Sequence, residues 1–139
     1  MSTEKINLLI VDDEEEFLKA IRRSLELRDF VVFTANRGEK ALEIARSTPV
    51  DIAIVDLKMP GMDGLQTLGA LKKAHSWMEI IILTGHGTID SAVEATHGGA
   101  YSYLQKPCEI ENLMEVLIEA YKKRVMNKQQ IKEKRLNEI

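Results

Sequence analysis

Residues 6–13 read Ile6-Asn7-Leu8-Leu9-Ile10-Val11-Asp12-Asp13, a short apolar run that ends in two adjacent carboxylates. So continuous a run fits a strand buried on both faces, as in a parallel sheet covered by helices on each side. The pattern recurs. Runs rich in Ile, Val, Leu, Phe or Tyr return roughly every 25 residues, at Phe30–Ala35, Ile52–Asp56, Ile80–Thr84 and Tyr101–Gln105. Between them lie stripes at helical spacing: Phe17, Ile21 and Leu25; Ala41, Leu42, Ile44 and Ala45; Leu65, Leu68 and Leu71; Ala92, Val93 and Ala95. A fifth helix is expected from near Glu109, carried by Ile110, Leu113, Met114, Leu117 and Tyr121. Strand and helix in strict alternation predict an α/β domain with helices on both faces of a parallel sheet.

At 139 residues and 45% hydrophobic content, the chain has enough apolar mass for the core of one domain and little beyond it. The expected division is a domain over 1–121 and a basic helical extension or linker over 122–139. The seven Lys and Arg of that extension face two Glu, a surplus of five. With the whole chain at −3, residues 1–121 hold −8. An acidic body argues against direct nucleic-acid binding, which needs a basic face. The extension reads as a solvated helix leading to a further module, or as a weak coiled coil whose apolar spacing is poor. No run of about 18 apolar residues marks a membrane span, and Met1-Ser-Thr-Glu-Lys5 lacks the blocks of a secretory signal. A cytoplasmic protein with no membrane partner is expected. The single cysteine, Cys108, rules out an internal disulfide and reads as a packing residue.

In a parallel sheet the carboxyl ends of the strands converge on one edge, so distant residues meet there. Asp12 and Asp13 follow the first run, Asp56 ends the third, Thr84 ends the fourth and Lys106-Pro107 closes the fifth. Helix capping explains Glu14, Glu15 and Glu16, because acids favour the positive end of a helix. It does not explain two acids at the end of a buried strand, where desolvation is costly. Clustered carboxylates repel unless a cation sits among them, and oxygen donors suit a hard divalent ion such as Mg²⁺. Within such a site Asp56 is a candidate nucleophile for phosphorus. Thr84 and the open backbone of Gly85 suit a phosphoryl oxygen, and Lys106 offsets its charge. Pro107 reads as closing a tight turn, with a cis bond as one available geometry. His75, His86 and His97 form no metal-binding spacing. Trp77 precedes the fourth strand and is expected to pack against a neighbouring helix.

From Lys5 to Ala120 the chain resembles the receiver domains of two-component response regulators. Asp12 and Asp13 match the family's acidic metal-binding pair, Asp56 its phosphoacceptor, Thr84 its switch hydroxyl, Tyr103 its switch aromatic and Lys106 its lysine. Met59-Pro-Gly-Met-Asp-Gly64, Leu83-Thr-Gly-His-Gly87 and Gly99-Ala-Tyr-Ser-Tyr-Leu-Gln-Lys-Pro107 resemble the receivers of enhancer-binding, nitrogen-regulation-type transcription activators.

The resemblance implies a flavodoxin-like (βα)5 fold with strand order 2-1-3-4-5 and an extended C-terminal helix. It implies Mg²⁺ on Asp12, Asp13, Asp56 and the backbone carbonyl of Lys58, and a tuning role for the side chains of Lys58 and His86. It implies as partners a histidine kinase or phosphotransfer protein, an output domain or protein met through the fourth helix, fifth strand and fifth helix, and a homodimer as a further option. The expected role is a phosphorylated switch with a transcriptional output, rather than a turnover enzyme. Two other classes stand beside it: a constitutive interaction domain that accepts no phosphate, and a small-molecule phosphohydrolase using Asp56. The second needs an acid near the nucleophile, and Asp56-Leu57-Lys58 supplies none two positions on.

Overall fold

The computed structural model describes residues 5–137. Its elements alternate strictly: β1 (Ile6–Val11), α1 (Glu15–Glu26), β2 (Phe30–Ala35), α2 (Gly38–Ser47), β3 (Ile52–Val55), α3 (Gly64–Ala74), β4 (Glu79–Thr84), α4 (Ile89–His97), β5 (Ser102–Gln105) and α5 (Ile110–Asn137). The five strands form one parallel sheet in the order β2-β1-β3-β4-β5. This is the flavodoxin-like order expected from the resemblance.

Successive side chains on a strand point to opposite faces, and the core divides accordingly. Leu9, Val11, Ala53, Val55, Ile80 and Ile82 pack with Ala41 and Ala45 of α2, Leu68 and Leu71 of α3 and Ala95 of α4. Leu8, Ile10, Ile52, Ile54, Ile81 and Leu83 pack with Leu18, Ile21 and Leu25 of α1 and Leu113, Leu117 and Ala120 of α5. Each fully buried Leu or Ile contributes about 1.5–3 kcal/mol, so the two layers hold the three central strands from both sides. That rigidity fixes where the strand ends lie.

Some boundaries shift. The third strand closes at Val55, leaving Asp56 as the first residue beyond it, and the fourth begins at Glu79. In α4 only Ala95 is buried and Val93 is 50% exposed, so the expected stripe there is half solvent-facing. The fifth helix continues unbroken past residue 121. It is not wholly solvated there, since Arg124 is buried against Asp51, its Nε 3.6 Å from Oδ1, with its guanidinium 6.0 Å from the Trp77 ring. Trp77 therefore packs against α5, as expected. Residues 138 and 139 of the extension lie outside the described residues.

Candidate functional site

β1 pairs with both β2 and β3, so the winding of the sheet reverses between β1 and β3. A crevice opens at such a reversal, outside the carboxyl ends of the strands. Asp12 and Asp13 leave β1 into it and Asp56 leaves β3. Backbone bonds from Asp12 N to Ala35 O (3.0 Å) and from Asp56 N to Val11 O (2.9 Å) hold both residues at the sheet edge. The three carboxylates each offer an oxygen within 4.8 Å of the others. Asp12 and Asp56 are buried and Asp13 is exposed.

Lys106 Nζ donates to Asp12 Oδ2 at 2.6 Å, lies 3.5 Å from Glu14 Oε1 and stands 4.0 Å above the Phe17 ring. The Glu14 amide donates to the other Asp12 oxygen at 2.9 Å. Burial still outweighs these bonds and leaves the Asp12 carboxyl above its ordinary range. Burial also pulls Lys106 down, but the Asp12 bond and the nearby charges of Asp12, Asp56 and Glu14 prevail, so its ammonium is held more firmly than usual. Asp56 Oδ1 is buried with no hydrogen-bond partner. An unmet carboxylate oxygen beside two more carboxylates, with one ammonium to balance them, fits a hard cation with oxygen ligands.

Thr84 closes β4 fully buried, and its Oγ1 accepts from the His86 amide at 3.0 Å. The backbone N of Lys106 donates to Thr84 O at 2.9 Å, tying the ends of β4 and β5 together. The Lys106-Pro107 bond is cis. His86 and Lys58 are exposed beside the crevice loops. Burial raises the Cys108 thiol, in keeping with a packing role.

Tyr103 is half-buried, and its hydroxyl bonds Ser91 Oγ at 2.8 Å. Ser91 also completes the capping box of α4 with Thr88. A Cβ on Gly87 would run into the Tyr103 hydroxyl and ring. Sequence reasoning missed Ser91 and Gly87 as Tyr103's neighbours, and Phe17 and Glu14 as those of Lys106. The Thr88-x-x-Ser91 spacing was the one available signal, and it speaks only of a helix start. Gly87→Ala is expected to push Tyr103 off Ser91 at a cost of about 1 kcal/mol, because a flexible side chain yields more easily than backbone. Amide resonances of Ser91 and Tyr103 that stay unchanged in this variant would contradict the contact.

The fold and its acidic crevice define a doubly wound, flavodoxin-like α/β domain with a cluster of carboxylates at its topological switch point. The chain belongs to the response regulator receiver domain family, whose model matches residues 8–118. It is 38% identical over 120 residues to the transcriptional regulatory protein GlrR of Escherichia coli K12, covering 86% of this chain and 27% of that one. To the DNA-binding transcriptional regulator NtrC of the same organism it is 34% identical over 128 residues, covering 92% and 27%. The chain thus spans about a quarter of the length of these curated relatives, and the resemblance to nitrogen-regulation-type receivers holds. A response regulator from Burkholderia pseudomallei, solved with a phosphorylated aspartic acid, calcium ion and citrate, superimposes with a TM-score of 0.78 at 30% identity, covering 92% of this chain and 75% of that one. No helix among the described residues is long and apolar enough to cross a membrane.

Proposed function

We propose that this chain is a phosphorylation switch in which Asp56 accepts a phosphoryl group from a phosphohistidine of a partner kinase or phosphotransfer protein. The observation that carries this reading is the unpartnered, buried Asp56 Oδ1 set among Asp12, Asp13 and Lys106. A carboxylate oxygen of Asp56 attacks phosphorus, the N–P bond breaks, and an acyl phosphate forms as the imidazole leaves. Asp12, Asp13, Asp56 and the Lys58 carbonyl would hold Mg²⁺, which supplies charge neutralisation on the phosphoryl oxygens when bound. Lys106, prepositioned on Asp12, and Thr84, at the neighbouring strand end, take up the remaining oxygens. Lys58 and His86 border this pocket and tune how long the phosphoryl group persists.

For Thr84 Oγ1 to reach a phosphoryl group, its bond from the His86 amide must loosen. That loosens the loop carrying Gly87, against which Tyr103 is packed, and so reaches Ser91 and α4. The output face is then α4, β5 and α5, where Ile89 (84% exposed) and Val93 present unpartnered apolar surface beside the edge strand β5. It would meet an output domain, a transcriptional partner or a second copy of the chain. Residues 1–121 form the switch and 122–139 the link onward, in a cytoplasmic regulator that turns over no separate substrate. The test is treatment with acetyl phosphate and Mg²⁺ followed by peptide mass spectrometry. One labile phosphoryl adduct on the peptide holding Asp56 is expected; an adduct elsewhere, or none, overturns the assignment.

A further inference from the structure

The opposite end of the sheet, where β3 and β4 begin, holds a second concentration of chemistry. A cavity of about 450 Å³ lies between the end of α2, the loops before β3 and β4, and α5. That volume falls in the range of small-ligand sites. Its walls include Arg46, His75, Trp77, Arg124 and Lys128, and no Asp or Glu. In a body whose first 121 residues hold −8, Arg46 and Lys128 line a cavity with no acid among its walls, and the third cation, Arg124, is offset by Asp51 behind it. That leaves a local field favouring anions.

Two further observations narrow the ligand. Arg124 is 6% exposed, and its Nε is buried without a hydrogen-bond partner. The nearest acid, Asp51 Oδ1, stands 3.6 Å away, beyond hydrogen-bond reach. That Nε lies against Asp51 and is closed to the cavity, so a phosphate there meets the planar guanidinium through its other N–H groups. Beside it, Trp77 is 38% exposed, with His75 edge-on at 6.1 Å and the Arg124 guanidinium at 6.0 Å from its ring. An exposed indole next to cations is the arrangement on which nucleobases stack while their phosphates are neutralised.

We infer that this cavity binds a nucleoside phosphate, its base against Trp77 and its phosphates on Arg46, Arg124 and Lys128. Arg46 and Trp77 belong to the body of the domain while Arg124 and Lys128 belong to α5, so the ligand would fasten the helical extension to the body. The site stands at the opposite sheet edge from Asp56 and does not depend on phosphorylation.

Trp77 is the chain's single tryptophan, so its fluorescence reports this end of the sheet, and the Arg46 and Lys128 variants assign the signal to this cavity. ADP, adenosine and inorganic pyrophosphate are titrated separately into the full chain with EDTA present. Saturable quenching by ADP is expected, at an affinity at least tenfold above that of adenosine or pyrophosphate. The double variant Arg46→Glu/Lys128→Glu, altered at two exposed positions, should weaken ADP binding at least tenfold with an unchanged melting temperature. Asp56→Asn should bind ADP as the wild type does. Quenching that rises linearly without saturation, equal binding by the double variant, pyrophosphate matching ADP, or loss of binding in Asp56→Asn would each overturn the proposal. If the double variant melts early, Arg46→Gln with Lys128→Gln decides the point by the same criterion.

Discussion

Asp56→Asn is expected to take up no phosphoryl group from acetyl phosphate and Mg²⁺, and to melt higher than the wild-type chain in metal-free buffer. The first effect is complete because an amide has no anionic oxygen to attack phosphorus. The second follows from crowding: Asp56 Oδ1 is buried without a hydrogen-bond partner, and the Asp56 carboxylate offers an oxygen within 4.8 Å of oxygens from Asp12 and Asp13. Removing one charge should stabilise the fold by about 1 kcal/mol. Asp12 supplies an independent readout. Its carboxyl is raised mainly by burial, with a further contribution from the Asp56 charge, so in the variant it should titrate lower. The sign follows from linkage: a raised carboxyl stabilises the fold most below its unfolded value, and that contribution is lost as pH rises through the raised folded value. The advantage of Asp56→Asn should therefore be greatest above that value. A variant that melts lower than wild type throughout would mean that Asp56 is not the strained charge of this crevice.

Gly64→Ala, a change of one methyl group, is expected to cost about 3 kcal/mol and to lower phosphoryl uptake at least tenfold. Gly64 opens α3 and donates its N–H to Leu57 O at 2.8 Å. A Cβ there would collide with the Asp56 carbonyl oxygen and the Leu57 Cα, with the Asp56 carbonyl carbon 2.9 Å away. These are backbone atoms on a buried strand end, so no rotamer change relieves the clash. The backbone of Asp56 must move, and its carboxylate moves with it. Gly69, on the same helix, is the control, because a Cβ added there would meet nothing within 4 Å. Gly69→Ala should raise stability slightly, as alanine favours a helix over glycine. Chemical denaturation of the two variants checks both, and equal stabilities would contradict the geometry at Gly64.

The strands were legible because burial on both faces leaves an apolar run with little else in it, as in Ile80–Leu83 and Leu8–Val11. Asp12, Asp13 and Asp56 could be placed together because a parallel sheet gathers its carboxyl ends whatever the loops between them do. The contact of Tyr103 with Ser91 could not be read in advance. It depends on how α4 settles against β5, and α4 buries only Ala95. The charges at the other edge were hidden for a different reason. Glu79 opens its strand, is 1% exposed, and meets Lys72 and Lys123 at 4.0 and 3.5 Å from two different helices. Nothing local in the sequence distinguishes such a residue from an ordinary surface acid. Arg124 likewise looked like one more cation of a solvated helix, and only the positions of Asp51 and Trp77 set it apart.

The unbroken α5 gives the domain a mechanical property. From Arg124 to Asn137 the helix runs on for about 20 Å at 1.5 Å per residue, its first turns still beside the body at Trp77. Its root is clamped by Leu113, Leu117 and Ala120 in the core and by Arg124 on Asp51. A stiff rod held at one end magnifies rotation, so a tilt of about 5° at the root displaces the tip by about 2 Å, roughly a third of a helical turn. The pivot, rather than the tip, is where substitutions should alter what the arm transmits.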